Sequence, residues 1–419
     1  MDPAFLSESI LFSLVGSAIG LFTGLVPGIH VNTLASILLV SFPSIELILS
    51  GIVPTDHVPV IVCCMIMSAS VVHSFVDFVP SVFIGAPDAE DAISVLPGHK
   101  LLLKGEGMAA VRSAAIGSLI GCSAAILLAL PLQLAMLNGA ADFLNGFTRL
   151  VIVVVIMILM YNEYNKGNLL FGLTGFFLSG VLGYAVMRLP IPCTGILGEG
   201  TLLMPMLTGL FGLPVLLTSG DSKPIPRQTD KRKDPVGPIP GLKGVIMGSV
   251  AGWFPGITST VGATISATIM PERNPERFIS TVASIGTVTT VLSLVTLSVS
   301  GGGRSGTVIV IGQILGDAIG GFASRPLVLL LLSAAVSSLM GCSLTIWAGR
   351  TMSGFISRIR QDLMSRAVIL FLIVMVFLST GPWGMAILFL ATVIGFIPVS
   401  NDSGKTALCG CLLLPSLVL

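Results

Sequence analysis

Two stretches of this sequence place hydrogen-bonding side chains directly after a Pro-Gly pair inside apolar surroundings. In GLFTGLVPGIHVNTLAS, residues 20–36, Pro27 and Gly28 precede His30, Asn32 and Thr33. In GSVAGWFPGITSTVGAT, residues 248–264, Pro255 and Gly256 precede Thr258, Ser259 and Thr260. Proline removes a backbone donor and the glycine after it frees the turn, so one helix should stop at each pair and another begin. The first amides of the new helix have no acceptor within it and carry the positive end of its dipole, which makes a site for an anion. Ordinary kinks, with the hydroxyls bonded back to the preceding turn, are the competing explanation, but they leave the repetition of polar residues unaccounted for. Gly28, His30, Asn32, Thr33, Gly256, Thr258, Ser259 and Thr260 are therefore the expected substrate-binding residues.

A second pair of irregular segments adds candidates. Residues 75–107 are long, apolar and interrupted by Asp77, Pro80 and Pro87, and residues 301–324 open on three glycines followed by Arg304. The guanidinium of Arg304 offers a fork of donors to a carboxylate or phosphate; the alternative is an interfacial arginine that snorkels outward. Acids within apolar segments are costly, so Asp77, Glu199, Asp317 and Asp402 are candidates for coupling to protons or sodium, unless they face water at a helix end. No catalytic residue is expected. GRSG at 303–306 has no histidine after its serine, since all four lie at 30, 57, 73 and 99, and NDSGKT at 401–406 has Val399 where a phosphate loop needs glycine. His73 and Asp77 are four apart but lack a third ligand, so no metal is expected, and no cofactor beyond a coupling H+ or Na+. The seven cysteines sit in apolar segments without ligand spacing and read as small buried hydrophobes.

These residues must be positioned by membrane helices. The chain is 53% hydrophobic and 10% charged with a mean hydropathy of +1.00, and apolar runs recur from end to end, so it lies in lipid throughout. Its 48 glycines and few aromatics favour close-packed helices over a barrel, giving an all-α polytopic membrane protein. MDPAFLSES lacks the basic region of a cleaved signal, so the N-terminus is expected to be retained. The net charge of +1 gives no reason to expect a nucleic-acid partner.

The two Pro-Gly stretches lie 228 residues apart, GSLIGCSAAI (117–126) is echoed by SSLMGCSLTI (337–346), and GTLLMPMLTGL (200–210) by GCLLLPSLVL (410–419). Three matches in one order indicate a duplication: repeat 1 at 1–218, a Pro-rich polar linker at 219–240, and repeat 2 at 241–419. Spans are expected at 57–74, 112–135, 140–160, 168–188 and 196–217, then at 278–300, 327–349, 367–380, 382–398 and 404–419. If the broken segments 5–42 and 243–270 return to the side they left, 17 of the 21 Lys and Arg share the linker's side, leaving Arg149, Arg188, Arg304 and Arg325 opposite. The positive-inside rule then places the linker in the cytoplasm and both termini outside, in a multi-pass protein of the cell membrane. Five spans per repeat is an odd number, so the repeats are inverted, the architecture of secondary transporters with discontinuous helices.

The chain resembles the large membrane subunit (TctA-like) of the tripartite tricarboxylate transporters, with GLVPGI and GWFPGI early in each half and GAPDAEDAISVLPGHKLLLKGEGMAAVRSAAIGSLIG at 85–121. The resemblance covers most of the chain. It implies secondary active transport of a di- or tricarboxylate-like anion driven by an ion gradient, with an external binding protein and a small second membrane subunit as partners. Pro-Gly pairs followed by hydroxyl residues in inverted halves are also similar to polyprenyl-phosphate translocases, in which the anion is a lipid phosphate. A channel or scaffold is the third class. The helix-end argument serves both transporter readings, because carboxylate and phosphate are both anions.

Overall fold

The computed structural model describes residues 2–26, 31–85, 95–196, 198–199, 202–218, 225–230, 236–303, 305–358, 361–401 and 403–418. The chain is an all-α polytopic membrane protein. Its first half runs through α1 (Pro3–Leu25), α2 (Val31–Val40), α3 (Phe42–Leu49), α4 (Val58–Val76), α5 (Phe78–Ile84), α6 (Val95–Leu103) and α7 (Gly107–Ala135). It continues with α8 (Ala141–Gly146), α9 (Thr148–Asn165), α10 (Leu169–Arg188), α11 (Leu203–Leu207) and α12 (Leu213–Thr218). The second half comprises α13 (Ile239–Trp253), α14 (Ser259–Ile269), α15 (Pro275–Ser300), α16 (Gly306–Leu315), α17 (Arg325–Phe355), α18 (Gln361–Ser400) and α19 (Gly410–Val418). Eight helical stretches of the described residues are long and apolar enough to cross a bilayer, and 203–218, 306–319 and 405–418 are shorter apolar helices. Among the described residues the strand content is one antiparallel pairing, Thr194–Gly195 with Gly198–Glu199.

One packing motif occurs twice, and it carries the fold. Gly16, Gly20 and Gly24 of α1 face α4, where an added Cβ would lie 2.2 Å from the Met65 carbonyl, 2.5 Å from that of Ala69 and 3.1 Å from that of His73. Gly244, Gly248 and Gly252 of α13 face α15, where an added Cβ would meet the carbonyls of Thr281 at 2.7 Å, Ile285 at 3.0 Å and Thr289 at 3.6 Å. The glycines are 228 residues apart in each pair and the carbonyls 216 apart, so the two seams share one register. Small residues every fourth position let membrane helices approach backbone to backbone. Hydroxyls close the seams: Ser17 with Ser68 at 3.0 Å, Ser284 to the Gly241 carbonyl at 2.6 Å and Thr296 to that of Gly252 at 2.8 Å.

The register fixes direction. In both seams residue number rises together, so α1 runs parallel to α4 and α13 parallel to α15. The chain between each pair therefore returns to the side it left, through α2 and α3 in one half and α14 in the other. α1 differs from the expectation of a short hairpin limb, because its 23 residues span about 34 Å at 1.5 Å per residue, enough to cross alone. α13, with 15 residues, is the shorter limb.

The halves are inverted and interlocked. The end of α4 and α5, the start of α7, the start of α15 and the end of α17 share one cluster, represented by Val79, Met108, Ile279 and Ala348. The opposite ends of these helices share another, with Ile61, Ala129, Leu294 and Leu327. α4 and α17 thus run against α7 and α15. α7 packs on α15 and α17 on α4, each across the halves, and the contacts correspond again: Gly117 meets the Ser280 carbonyl, and the Ser333 hydroxyl donates to that of Cys64 at 2.8 Å. This pairs position 117 with 333, one helical turn away from the match with 337 that the residue types suggest.

Further along, the backbone leaves helical geometry at Asn138 and Gly139, between α7 and α8 and in the gap between the expected spans 112–135 and 140–160. The expected 367–380 and 382–398 meet at Gly381, whose φ of 66° and ψ of −159° interrupt α18 just before Pro382. The linker is anchored where it is described. Gln228 accepts the Gly107 amide at 2.9 Å, the Thr229 amide donates to the Gly105 carbonyl at 2.8 Å, and Asp230 pairs with Arg112 and, at 3.5 Å, with Arg350.

Gly20→Val and Gly248→Val should each destabilise the protein by about 1–3 kcal/mol, because neither seam has room for a side chain. Gly146→Ala, with no heavy atom within 4 Å, should leave stability unchanged. Thermal unfolding of the purified protein, followed by tryptophan fluorescence, measures both.

Candidate functional site

The two interrupted segments meet at one cavity of about 680 Å³. Val26 and Asn32 of the first half line it, and so do Phe254, Gly256, Ile257, Thr258, Ser259 and Thr260 of the second. In the second half the sequence logic is visible atom by atom. α13 ends at Trp253, the chain turns through Gly256 at φ +78°, and Thr258 caps α14, its hydroxyl accepting the Val261 amide at 3.4 Å. A Cβ on Gly256 would lie 2.4 Å from the Ser416 hydroxyl, so both conformation and space require glycine. The cap takes the third amide of α14; the Ser259 amide, at the first position, lies beyond any acceptor in its own helix. The Ser259 side chain is 1% exposed, stands in the cavity wall, and its hydroxyl has no hydrogen-bond partner among the described residues.

Asn32 does something the sequence did not disclose. Its side-chain carbonyl accepts the Thr307 amide at 3.0 Å and thereby caps α16 of the other half, beside the Ser305 hydroxyl, which accepts the Val308 amide at 3.3 Å. A Cβ on Gly306 would lie 2.8 Å from Asn32 Cγ, so the glycine makes room for this cap. One helix end at the cavity is therefore capped from the other half, while the α14 end is capped by its own Thr258 and has the buried, unpartnered Ser259 hydroxyl in its first turn.

The remaining polar wall comes from α4 and α15. His73 is 5% exposed, with Nδ1 3.0 Å from the Thr23 hydroxyl, and Asp77, at the junction of α4 and α5, is 7% exposed. In the register of the seams, 216 residues on, His73 corresponds to Thr289 and Asp77 to Ser293, and all four line the cavity. The duplicated positions carry titratable groups in one half and hydroxyls in the other. Thr289, Thr290 and Ser293 were not singled out from the sequence; their recurrence along one helix was the available signal, but α15 has hydroxyls on every side.

Other expected residues lie elsewhere. Asp317 is exposed, in a short turn after α16, and does not line the cavity. Gly28, His30, Arg304 and Asp402 fall outside the described residues, as do the side chains of Thr33 and Glu199. The NDSGKT turn serves structure: the Gly404 amide donates to Glu163 at 2.9 Å, and Glu163, fully buried, pairs with Lys166 at 3.0 Å. The Lys-Gly-Glu segment at 104–106 likewise forms the turn that receives the linker. No cluster of three metal-ligating side chains occurs among the described residues. Cys193 and Cys342 are half-buried and the other five cysteines buried, all as free thiols.

A membrane protein of two inverted halves, with interrupted helices meeting at a shared cavity, has the architecture of a transporter. The profile of the tripartite tricarboxylate transporter TctA family matches residues 10–409. The chain belongs to this family. An uncharacterized protein, MJ1079 of Methanocaldococcus jannaschii, is 30% identical over 302 residues, covering 71% of each chain. No solved structure matches.

Asn32→Leu should cost about 1–3 kcal/mol of stability by leaving the buried Thr307 amide without its acceptor, and Asn32→Asp should retain most of it. Unfolding midpoints of the two variants, compared with the parent, check the assignment.

Proposed function

We propose that the protein is a secondary active transporter of an organic anion, a carboxylate in the first instance, bound in the shared cavity between the halves. The observation that carries this reading is the start of α14, with the Ser259 amide and its unpartnered hydroxyl in the cavity wall. Thr258 and Thr260 flank that end, and Gly256 lets the backbone reach it. The helix dipole favours negative charge there, and enclosure strengthens each hydrogen bond relative to water.

Asp77 supplies a reason for coupling. A proton or sodium ion bound at a carboxylate in the same cavity attracts an incoming anion, and is in turn held more tightly once the anion has entered. Each ion thereby raises the affinity of the other. His73 and the Thr23 hydroxyl stand beside this group and orient whatever neutralises it. The two repeats, 1–218 and 241–419, would alternate about the cavity in the cell membrane, with the linker cytoplasmic and the termini outside. Family membership supports an external binding protein and a small membrane subunit as partners.

Ser259→Ala should weaken binding of the transported anion at least tenfold, the scale of one hydrogen bond to a charged group. Asp77→Asn should leave anion binding intact and abolish the response of uptake to an imposed proton or sodium gradient in proteoliposomes. Undiminished gradient dependence in that variant would remove Asp77 from the coupling step.

A further inference from the structure

The cavity has two unlike walls. The hydroxyls of α14 and α15 with His73 and Asp77 form one. The other comes from the segment 203–218, where Leu203, Met204, Leu207, Phe211 and Leu216 line the cavity beside Thr208, joined by Leu372 of α18 and Phe254. The segment docks on α18 with Gly209 against Leu388 and Ala391, the Leu210 carbonyl against Gly395, and Leu213, Leu216 and Leu372 in one cluster with Val376 and Leu388, while Phe211 belongs to the cluster of Ile257 and Val261. Phe211, Leu216 and Leu372 are at most 6% exposed, so the apolar wall is withdrawn from bulk water.

We infer that the substrate is an amphipathic anion, one negatively charged group carrying an apolar body, with the charge at the Ser259 end of the cavity and the body against Leu207, Phe211 and Leu216. This rests on the anion site proposed above and adds the other half of the ligand. A small tricarboxylate presents charge on every side and would leave the apolar face unmatched while desolvating a carboxylate against it, which costs free energy. An aliphatic or aromatic carboxylate, or the phosphate and first carbons of a lipid, matches both walls. The cavity volume of about 680 Å³ lies within the range that encloses ligands larger than a short polyacid.

The test measures binding to the purified full chain in nanodiscs, using citrate, a series of straight-chain monocarboxylates, benzoate, and a short-chain prenyl phosphate as probes. Each added methylene should tighten binding roughly threefold until the wall is covered, and citrate should bind more weakly than the best monoanion. Leu207→Asn should flatten the chain-length series without lowering affinity for acetate, whereas Ser259→Ala should weaken every anion alike. Should Leu207→Asn fail to fold, the series on the unaltered protein decides alone. A flat series, or citrate as the tightest ligand, would overturn the amphipathic assignment while leaving the anion site standing. Absence of binding by every anion would overturn both. Tightest binding by the prenyl phosphate assigns the ligand to a lipid source, and tightest binding by a carboxylate to a soluble one.

Discussion

A chain that stops being helical inside a bilayer must find partners for every amide and carbonyl it releases, and the structure is organised around that demand. Lipid offers none, so the interrupted backbone has to be surrounded by protein or to face an enclosed polar space. Both solutions are present. The Asn32 side chain takes an amide at the start of α16, and the Thr258 hydroxyl takes one at the start of α14. At α14 the first turn then opens on the cavity, where Ser259 stands.

Holding such ends in place requires neighbours that cannot drift, which the glycine seams supply. With carbonyls of α4 and α15 lying where side chains would otherwise project, α1 and α13 are pinned against them, and each hairpin tip inherits that position. The inversion of the halves follows from the same pairs of helices, because α4 and α15 occupy equivalent places yet run in opposite directions. The exchange of α7 and α17 between the halves locks the arrangement, and the same exchange brings α19 onto α10 and the 203–218 segment onto α18.

Much of this was legible in the sequence, and the reasons are physical. Membrane location and helical class follow from composition, since a bilayer admits few alternatives. The repeat was visible because seam glycines such as Gly24 and Gly252, and Gly256 at its positive φ, are dictated by backbone geometry and are poorly replaceable. Register within long helices was not legible: GSLIGC and SSLMGC match by residue type, yet packing equates positions one turn apart, because any small residue satisfies a helix seam. The breaks expected between 135 and 140 and between 380 and 382 coincide with non-helical backbone at Asn138–Gly139 and Gly381, because glycine is a local signal. In the site, Thr258, Ser259 and Thr260 were found by the helix-end rule, which is local. The role of Asn32 as a cap depends on α16, 275 residues away, and no local rule reports it. Glu163 escaped for the same reason, its partner being the Gly404 turn of the other half.

The duplication also explains why the cavity is not symmetric in its chemistry. Two identical inverted halves would present the same groups from both sides and would suit a ligand with like ends. Here the seam register equates His73 with Thr289 and Asp77 with Ser293, so one half brings charge where the other brings neutral hydroxyls. Thr289 and Ser293 offer hydroxyl oxygens where His73 and Asp77 offer titratable groups. Under the proposed function, diverging the side chains would let a single site hold an anion at a helix end and a cation at a carboxylate, and attraction between the two ions is the simplest physical route by which movement of one can be tied to movement of the other.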